Sequence, residues 1–162
     1  MKVDSRPRSL RRPPRPELDK HQPLPEGKFP DPVVCPKCAA SYHKGRWSWT
    51  EAPAGATRLK CPACRRIEAN YPAGEVTLTG AYLQAHRADV LNLVMSREAR
   101  ARHDFPMQRI IDVVAFPDGV RVTTTDGHLA RSIALAVHEA CKGELDLSFE
   151  KDPAFVRATW SR

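Results

Sequence analysis

Four of the five cysteines fall in two C-P-x-C patterns, Cys35-Pro36-Lys37-Cys38 and Cys61-Pro62-Ala63-Cys64, with twenty-two residues between them. A C-x-x-C turn presents two thiolates on one side of a tight bend. Two such turns facing each other supply the four sulfurs that zinc takes in a tetrahedron at about 2.3 Å. The spacing is slightly longer than the common pattern, and the excess lies in Glu51-Ala52-Pro53-Ala54-Gly55-Ala56, where lengthening a loop costs little. The competing uses of paired cysteines are a disulfide clip and a redox dithiol. Disulfides belong to oxidising compartments, and Met1-Lys2-Val3-Asp4 runs into arginines and prolines with no apolar secretory segment. A redox pair sits after a strand and opens a helix within a βαβ unit, and neither knuckle reads that way. The expectation is one structural Zn2+ on Cys35, Cys38, Cys61 and Cys64. Four sulfurs close its coordination sphere, so it would not bind or activate water.

Other residues near the knuckles invite chemistry less strongly. His43 stands close enough to substitute as a ligand, but four thiolates suffice. Trp47 and Trp49 alternate and so face one side of a hairpin. Packing over a small ribbon is the default for them, base stacking the alternative, because Lys37, Lys44, Arg46, Arg58, Lys60, Arg65 and Arg66 surround them. Arg65-Arg66, directly after the second knuckle, ranks first for phosphate contact. Farther on, Thr123-Thr124-Thr125-Asp126-Gly127-His128 lies where a strand gives way to a helix. Free N–H groups there suit a phosphate, yet Asp126 opposes an anion, and helix capping by Thr125 or Asp126 is the plainer reading. His86, His103 and His138 are scattered and form no triad; Walker, nucleophile-elbow and H-E-x-x-H patterns are missing. The expectation is a protein that is not an enzyme.

The elements that must position these residues follow from periodicity. Ser41-Tyr42-His43 and Arg46-Trp47-Ser48-Trp49 flank Lys44-Gly45 as a hairpin, and Arg58-Leu59-Lys60 returns toward the second knuckle. Val76–Thr79 reads as a short strand. A helix capped by Thr79 then carries Leu83, Val90, Leu91 and Val94 to about Met95, and Ser96 caps a continuation that Pro106 ends. Ile110–Phe116 and Val120–Thr124 are β-branched runs joined at Pro117-Asp118-Gly119. The next helix carries a stripe of Leu129, Ile133, Ala136, Val137 and Ala140, with Cys141 beside it as a small buried hydrophobe, and ends at Lys142-Gly143. Alternating Leu145, Leu147 and Phe149, then Phe155–Trp160 after a turn at Lys151-Asp152-Pro153, complete the chain. The expected fold class is α+β: a disordered Pro/Arg-rich tail (1–32), a four-cysteine ribbon (33–74), and an αββαββ domain (75–162) with an antiparallel four-stranded sheet.

Charge divides the 162 residues the same way. Residues 1–32 hold eight basic and five acidic groups, 33–74 seven and two, 75–108 four of each, and 109–162 seven and eight. The whole excess of +7 sits in the first 74 residues. A basic front on a neutral back suits a polyanion. Eight of the fifteen prolines fall within residues 1–32, beside Arg6, Arg8, Arg11, Arg12 and Arg15. That segment buries too little apolar surface to offset its ordering entropy, and prolines keep it extended. No apolar run approaches the ~20 residues of a bilayer span, and the expected location is cytoplasmic.

As a set, C-P-K-C, G-R-W-S-W, E-A-P-A, C-P-A-C-R-R-I, Y-P-A-G, V-T-T-T-D-G-H-L-A-R-S-I and K-G-E-L-D resemble a family of small bacterial zinc-ribbon proteins of unassigned function. The resemblance runs from about Val33 to the end of the chain. More distantly, the knuckles and T-x-x-x-H-L-A-R-x-I are similar to the front of the archaeal and eukaryotic adaptor for large ribosomal subunit export. That similarity implies ribosome or ribosomal-RNA contact. Ala39 departs from the pattern, since zinc knuckles often carry glycine there. The expected function is a ribosome-associated adaptor for structured RNA, contacted by Arg6, Arg8, Arg11, Arg12, Lys37, Lys44, Arg46, Trp47, Trp49, Lys60, Arg65 and Arg66. Its expected partners are ribosomal RNA and a ribosomal or translation-associated protein, with no membrane and no small-molecule substrate. The alternative is a module that docks on a polymerase or translation factor through the tryptophans.

Overall fold

Short strands around the knuckles build a small sheet from few residues. In the computed structural model, which describes residues 29–151 and 154–162, β1 (Val33–Val34), β2 (Ser41–His43), β3 (Arg46–Ser48) and β4 (Thr57–Arg58) lie in the order β3-β2-β1-β4. The β2–β3 hairpin turns at Lys44 (φ 51°) and Gly45 (φ 78°), two left-handed residues whose twist matches the flanking strands. β4 runs parallel to β1. Helix α1 (Pro62–Glu68) starts inside the second knuckle, with Pro62 in its first turn, where a missing N–H costs nothing. The second knuckle thus does follow a strand and open a helix, contrary to the sequence reading. Phe29 to Pro32, grouped in sequence with the tail, sit on this ribbon: Phe29 packs on Tyr42 and Trp47 at ring separations of 5.2 and 5.4 Å. The rest of the expected tail, with Arg6, Arg8, Arg11 and Arg12, lies outside the described residues.

The α+β class holds, but the expected four-stranded antiparallel sheet is corrected. β5 (Gly74–Thr79), β6 (Ile110–Phe116), β7 (Gly119–Thr124), β8 (Glu144–Lys151) and β9 (Ala154–Ser161) form one five-stranded sheet in the order β6-β7-β5-β9-β8. β5 is its centre, antiparallel to β7 and parallel to β9. Two helix-plus-hairpin units therefore flank one strand, whose Val76 and Leu78 are fully buried against the helices while Thr77 and Thr79 face away. β5 is central because it pairs along its whole length on both sides. The sequence shows a short strand there but not its neighbours.

The helices differ in detail from the expected ones. Gly80 (φ 105°), not Thr79, precedes α2 (Ala81–Ala85), because the chain there crosses the last residue and a Cβ on Gly80 would lie 2.3 Å from the Arg162 carbonyl oxygen. Thr79 stays in the sheet, its Oγ1 donating to the Trp160 carbonyl at 3.3 Å. The backbone breaks at His86, and α3 (Arg87–Asp104) then runs through Ser96 without interruption. α4 (Gly127–Cys141) buries Leu129, Ala130, Ile133, Ala134, Val137 and Cys141. Its stripe is rotated from the predicted one: Ala140 is exposed and Ala136 half-buried beside α3, since α4 crosses β5 and β9 on one flank and α3 on the other. Among the described residues, no helix is long and apolar enough to cross a membrane.

Trp160 is the largest fully buried side chain, and its indole N–H donates to the Lys142 carbonyl at 2.6 Å. Trp160→Ala removes that volume and leaves the carbonyl unmet, so unfolding in urea is expected at a stability lower by about 3–5 kcal/mol. Val114→Ala, at a residue 46% exposed, changes it by less than about 0.5 kcal/mol.

Candidate metal centre

Each knuckle is locally braced to hold its sulfurs inward. In the first, the Ala39 amide donates to the Cys35 carbonyl at 2.9 Å and the Cys35 amide to the Ala40 carbonyl at 2.8 Å. Closing that turn puts Ala39 in the left-handed region at φ 65°, which accounts for the glycine usual there. In the second, Cys61 caps α1, its Sγ accepting from the Cys64 amide at 3.4 Å. The four sulfurs meet: all lie within 4.8 Å of one another, and Cys35, Cys61 and Cys64 are buried. Tetrahedral sulfur ligands at about 2.3 Å stand roughly 3.8 Å apart, and Cys38 Sγ lies 3.7 Å from Cys61 Sγ. None of the five cysteines is in a disulfide. An all-sulfur, buried, closed donor set fits a structural metal ion.

The electrostatics agree with the fit. Burial opposes ionisation of Cys35, but the amides of Cys61, Cys38 and Lys37 outweigh it and bring the thiol down to about 7. Burial pushes the Cys61 and Cys64 thiols up. A cation among the sulfurs would offset the charge that burial penalises at Cys61 and Cys64.

The sequence reading missed the residue closest to this cluster. Arg109, in the connection between α3 and β6, is 5% exposed. One guanidinium nitrogen donates to Cys38 Sγ at 3.0 Å and lies 3.9 Å from Cys61 Sγ, while the other donates to Cys64 Sγ at 3.4 Å. Nε donates to the Pro106 carbonyl at 2.7 Å, and the backbone N–H to Thr125 Oγ1 at 2.9 Å. Forty-five residues separate Arg109 from Cys64, and no periodicity marks an isolated arginine beyond Pro106. Met107, from the same connection, packs against the cysteine cluster.

The predicted contact residues divide into those with partners and those without. Lys60 and Lys37 converge on Glu68, and their hydrogen bonds hold its carboxyl down at about 2. Arg65 Nε donates to the Lys60 carbonyl at 3.1 Å. Arg66 donates to the Tyr71 carbonyl at 3.1 Å and lies 5.1 Å from the centre of that ring. Lys44 and Arg46 at the hairpin tip, with Arg58, are exposed; the Lys44 amide donates to Asp31 at 2.8 Å, and His43 with Lys44 holds that carboxyl down, while Arg46 and Arg58 form no ion pair among the described residues. The two tryptophans make different contacts. Trp47 packs with Phe29 and Tyr42 and against the cysteine cluster, whereas Trp49, just past β3, reaches the α+β domain. Its indole N–H donates to the Arg102 carbonyl at 2.7 Å, and the guanidinium groups of Arg102 and Arg109 lie 5.7 and 5.4 Å from its ring.

Elsewhere the candidate groups are engaged within the protein. His43 Nδ1 pairs with Asp31 at 2.7 Å, away from the sulfurs. Asp126 is the N-cap of α4, its Oδ1 accepting from the His128 and Leu129 amides at 2.7 and 3.2 Å. Thr125 Oγ1 bonds the Met107 carbonyl at 2.6 Å, and His128 is exposed. Compared with protein-family models, curated proteins and solved structures, the chain has no match.

Proposed function

We propose that this chain is a non-enzymatic adaptor in which one structural zinc, held by Cys35, Cys38, Cys61 and Cys64, shapes a basic platform for structured RNA, ribosomal RNA foremost. The observation that carries the reading is the closed four-sulfur cluster lying within the segment that holds seven basic and two acidic residues. When bound, zinc supplies a cross-link with no open position. The protein's own groups then do the binding. Arg46 and Arg58 are the first phosphate contacts, because they are exposed and pair with no carboxylate among the described residues, and exposed Lys44 joins them although Asp31 lies beside it. Lys37 and Lys60 share the single carboxylate of Glu68, and Arg65 and Arg66 are bonded within the ribbon, so these four come second. The bonds that Thr125 and Asp126 spend on backbone support a binding protein over an enzyme built on Thr123–His128. Trp47 is engaged with Phe29 and Tyr42 and the Trp49 indole N–H is bonded to the Arg102 carbonyl, which weighs against the alternative of a docking module, although Trp49 keeps an exposed face.

The test is sedimentation of lysate from producing cells at low and at moderate salt. The protein is expected to travel with ribosomal particles at low salt and to leave them as salt rises. Recovery only at the top of the low-salt gradient removes the RNA reading.

A further inference from the structure

Arg109 is a buried cation with no acidic partner among the described residues; its fork is turned on sulfur instead. A buried guanidinium needs negative charge close by. Four thiolates around a divalent ion carry a net charge of about −2 and need the reverse. The two requirements meet at N–S distances of 3.0 and 3.4 Å. The fork is also fixed before it reaches the sulfurs: Pro106 holds Nε, Thr125 holds the Arg109 amide, and the Thr125 amide returns a bond to the Arg109 carbonyl at 2.9 Å. One face of the guanidinium lies toward Trp49. Side chains that hydrogen-bond metal ligands orient them and tune the ion, and here that partner comes from the α+β domain, not from the ribbon that supplies the ligands.

We infer that Arg109 is a positioning residue of the metal centre: by donating to Cys38 and Cys64 and offsetting the thiolate charge, it links zinc affinity to the seating of the ribbon on the α+β domain. The inference rests on the zinc reading above. It has two consequences. The ribbon alone would hold zinc less tightly than the whole chain, and loss of zinc would loosen the 106–125 region, which is remote from the ligands in sequence.

The experiment uses the full chain, Arg109→Met and Arg109→Lys. Zinc is titrated against a colorimetric chelator, and cobalt is substituted to read the sulfur-to-metal charge-transfer bands. Arg109→Met is expected to weaken zinc binding by about 10–100-fold. It should also move the cobalt bands to longer wavelength, because a thiolate without N–H donors gives up its electrons more easily. Arg109→Lys, keeping charge but losing the fork, should fall between the two. Hydrogen exchange on the unsubstituted chain covers the case in which Arg109→Met fails to fold. Stripping zinc should speed exchange at the Arg109 and Thr125 amides. Zinc bound one per chain with equal affinity and unchanged bands in foldable variants overturns this inference and leaves the zinc site standing, as does exchange at 109 and 125 that ignores zinc. A full chain that takes up no zinc overturns both.

Discussion

Cys61→Ser is expected to cost the chain its zinc while sparing the helix that follows. Cys61 has two separable roles: its sulfur belongs to the four-sulfur cluster, and the same sulfur caps α1 by accepting from the Cys64 amide. Serine is a strong N-cap, so the second role survives the change. A serine hydroxyl is a poor substitute for thiolate, so the first does not. Apparent zinc affinities of structural sites correspond to about 10–16 kcal/mol, which spread over four ligands assigns each roughly 3 kcal/mol, or about a hundredfold in affinity. Native mass spectrometry should find one zinc per chain before the substitution and a chelator-labile or empty site after it. Limited trypsin digestion should then cut at Arg58, Lys60 and Arg65, which lie in and around β4 and the second knuckle. Protection unchanged in Cys61→Ser, or folded unsubstituted protein without any transition metal, would end the case for a metal centre. The effect is large because a ribbon of two- and three-residue strands has little apolar core of its own: its buried hydrophobic set is Val33, Ala40, Ala63, Cys35, Cys61 and Cys64.

The second large effect is on RNA binding. If about six phosphates are neutralised, affinity for total ribosomal RNA should fall roughly a thousandfold between 50 and 200 mM salt, because each contact releases a counterion. Reversing charge at the hairpin tip, with Lys44→Glu and Arg46→Glu together, should lower the slope of log affinity against log salt by about two. These side chains are exposed and away from the sulfurs, so zinc content should stay at one per chain. A flat salt response removes the electrostatic basis of the proposal. Salt-tolerant binding to protein, lost on Trp47→Ala and indifferent to Arg65→Ala, would turn it toward the docking alternative.

The four-cysteine cluster was legible because its spacing is itself the signal: two C-P-x-C turns need no knowledge of the rest of the fold to be recognised. The β6–β7 and β8–β9 hairpins and the α4 helix were legible for a related reason. Alternation, turn residues such as Asp118-Gly119, and a cap at Asp126 act over a few residues and leave a local trace. The break at His86 was not legible, because no proline or glycine stands there to mark it. Nor was the cap at Gly80, whose reason is the backbone of Arg162 at the far end of the chain.

From the order of residues alone came the four-sulfur set, the basic front, the α4 helix and the β2–β3, β6–β7 and β8–β9 hairpins with their approximate limits, since each rests on chemistry or periodicity within a short window; α1, inside the second knuckle, did not. The tertiary structure decided that β5 lies at the centre of a mixed five-stranded sheet, that Trp49 joins the ribbon to α3, and that Arg109 donates to the sulfurs. Those outcomes depend on which distant segments are brought together, and the free energy of burying and pairing them belongs to the contact, not to either partner's neighbourhood in the chain.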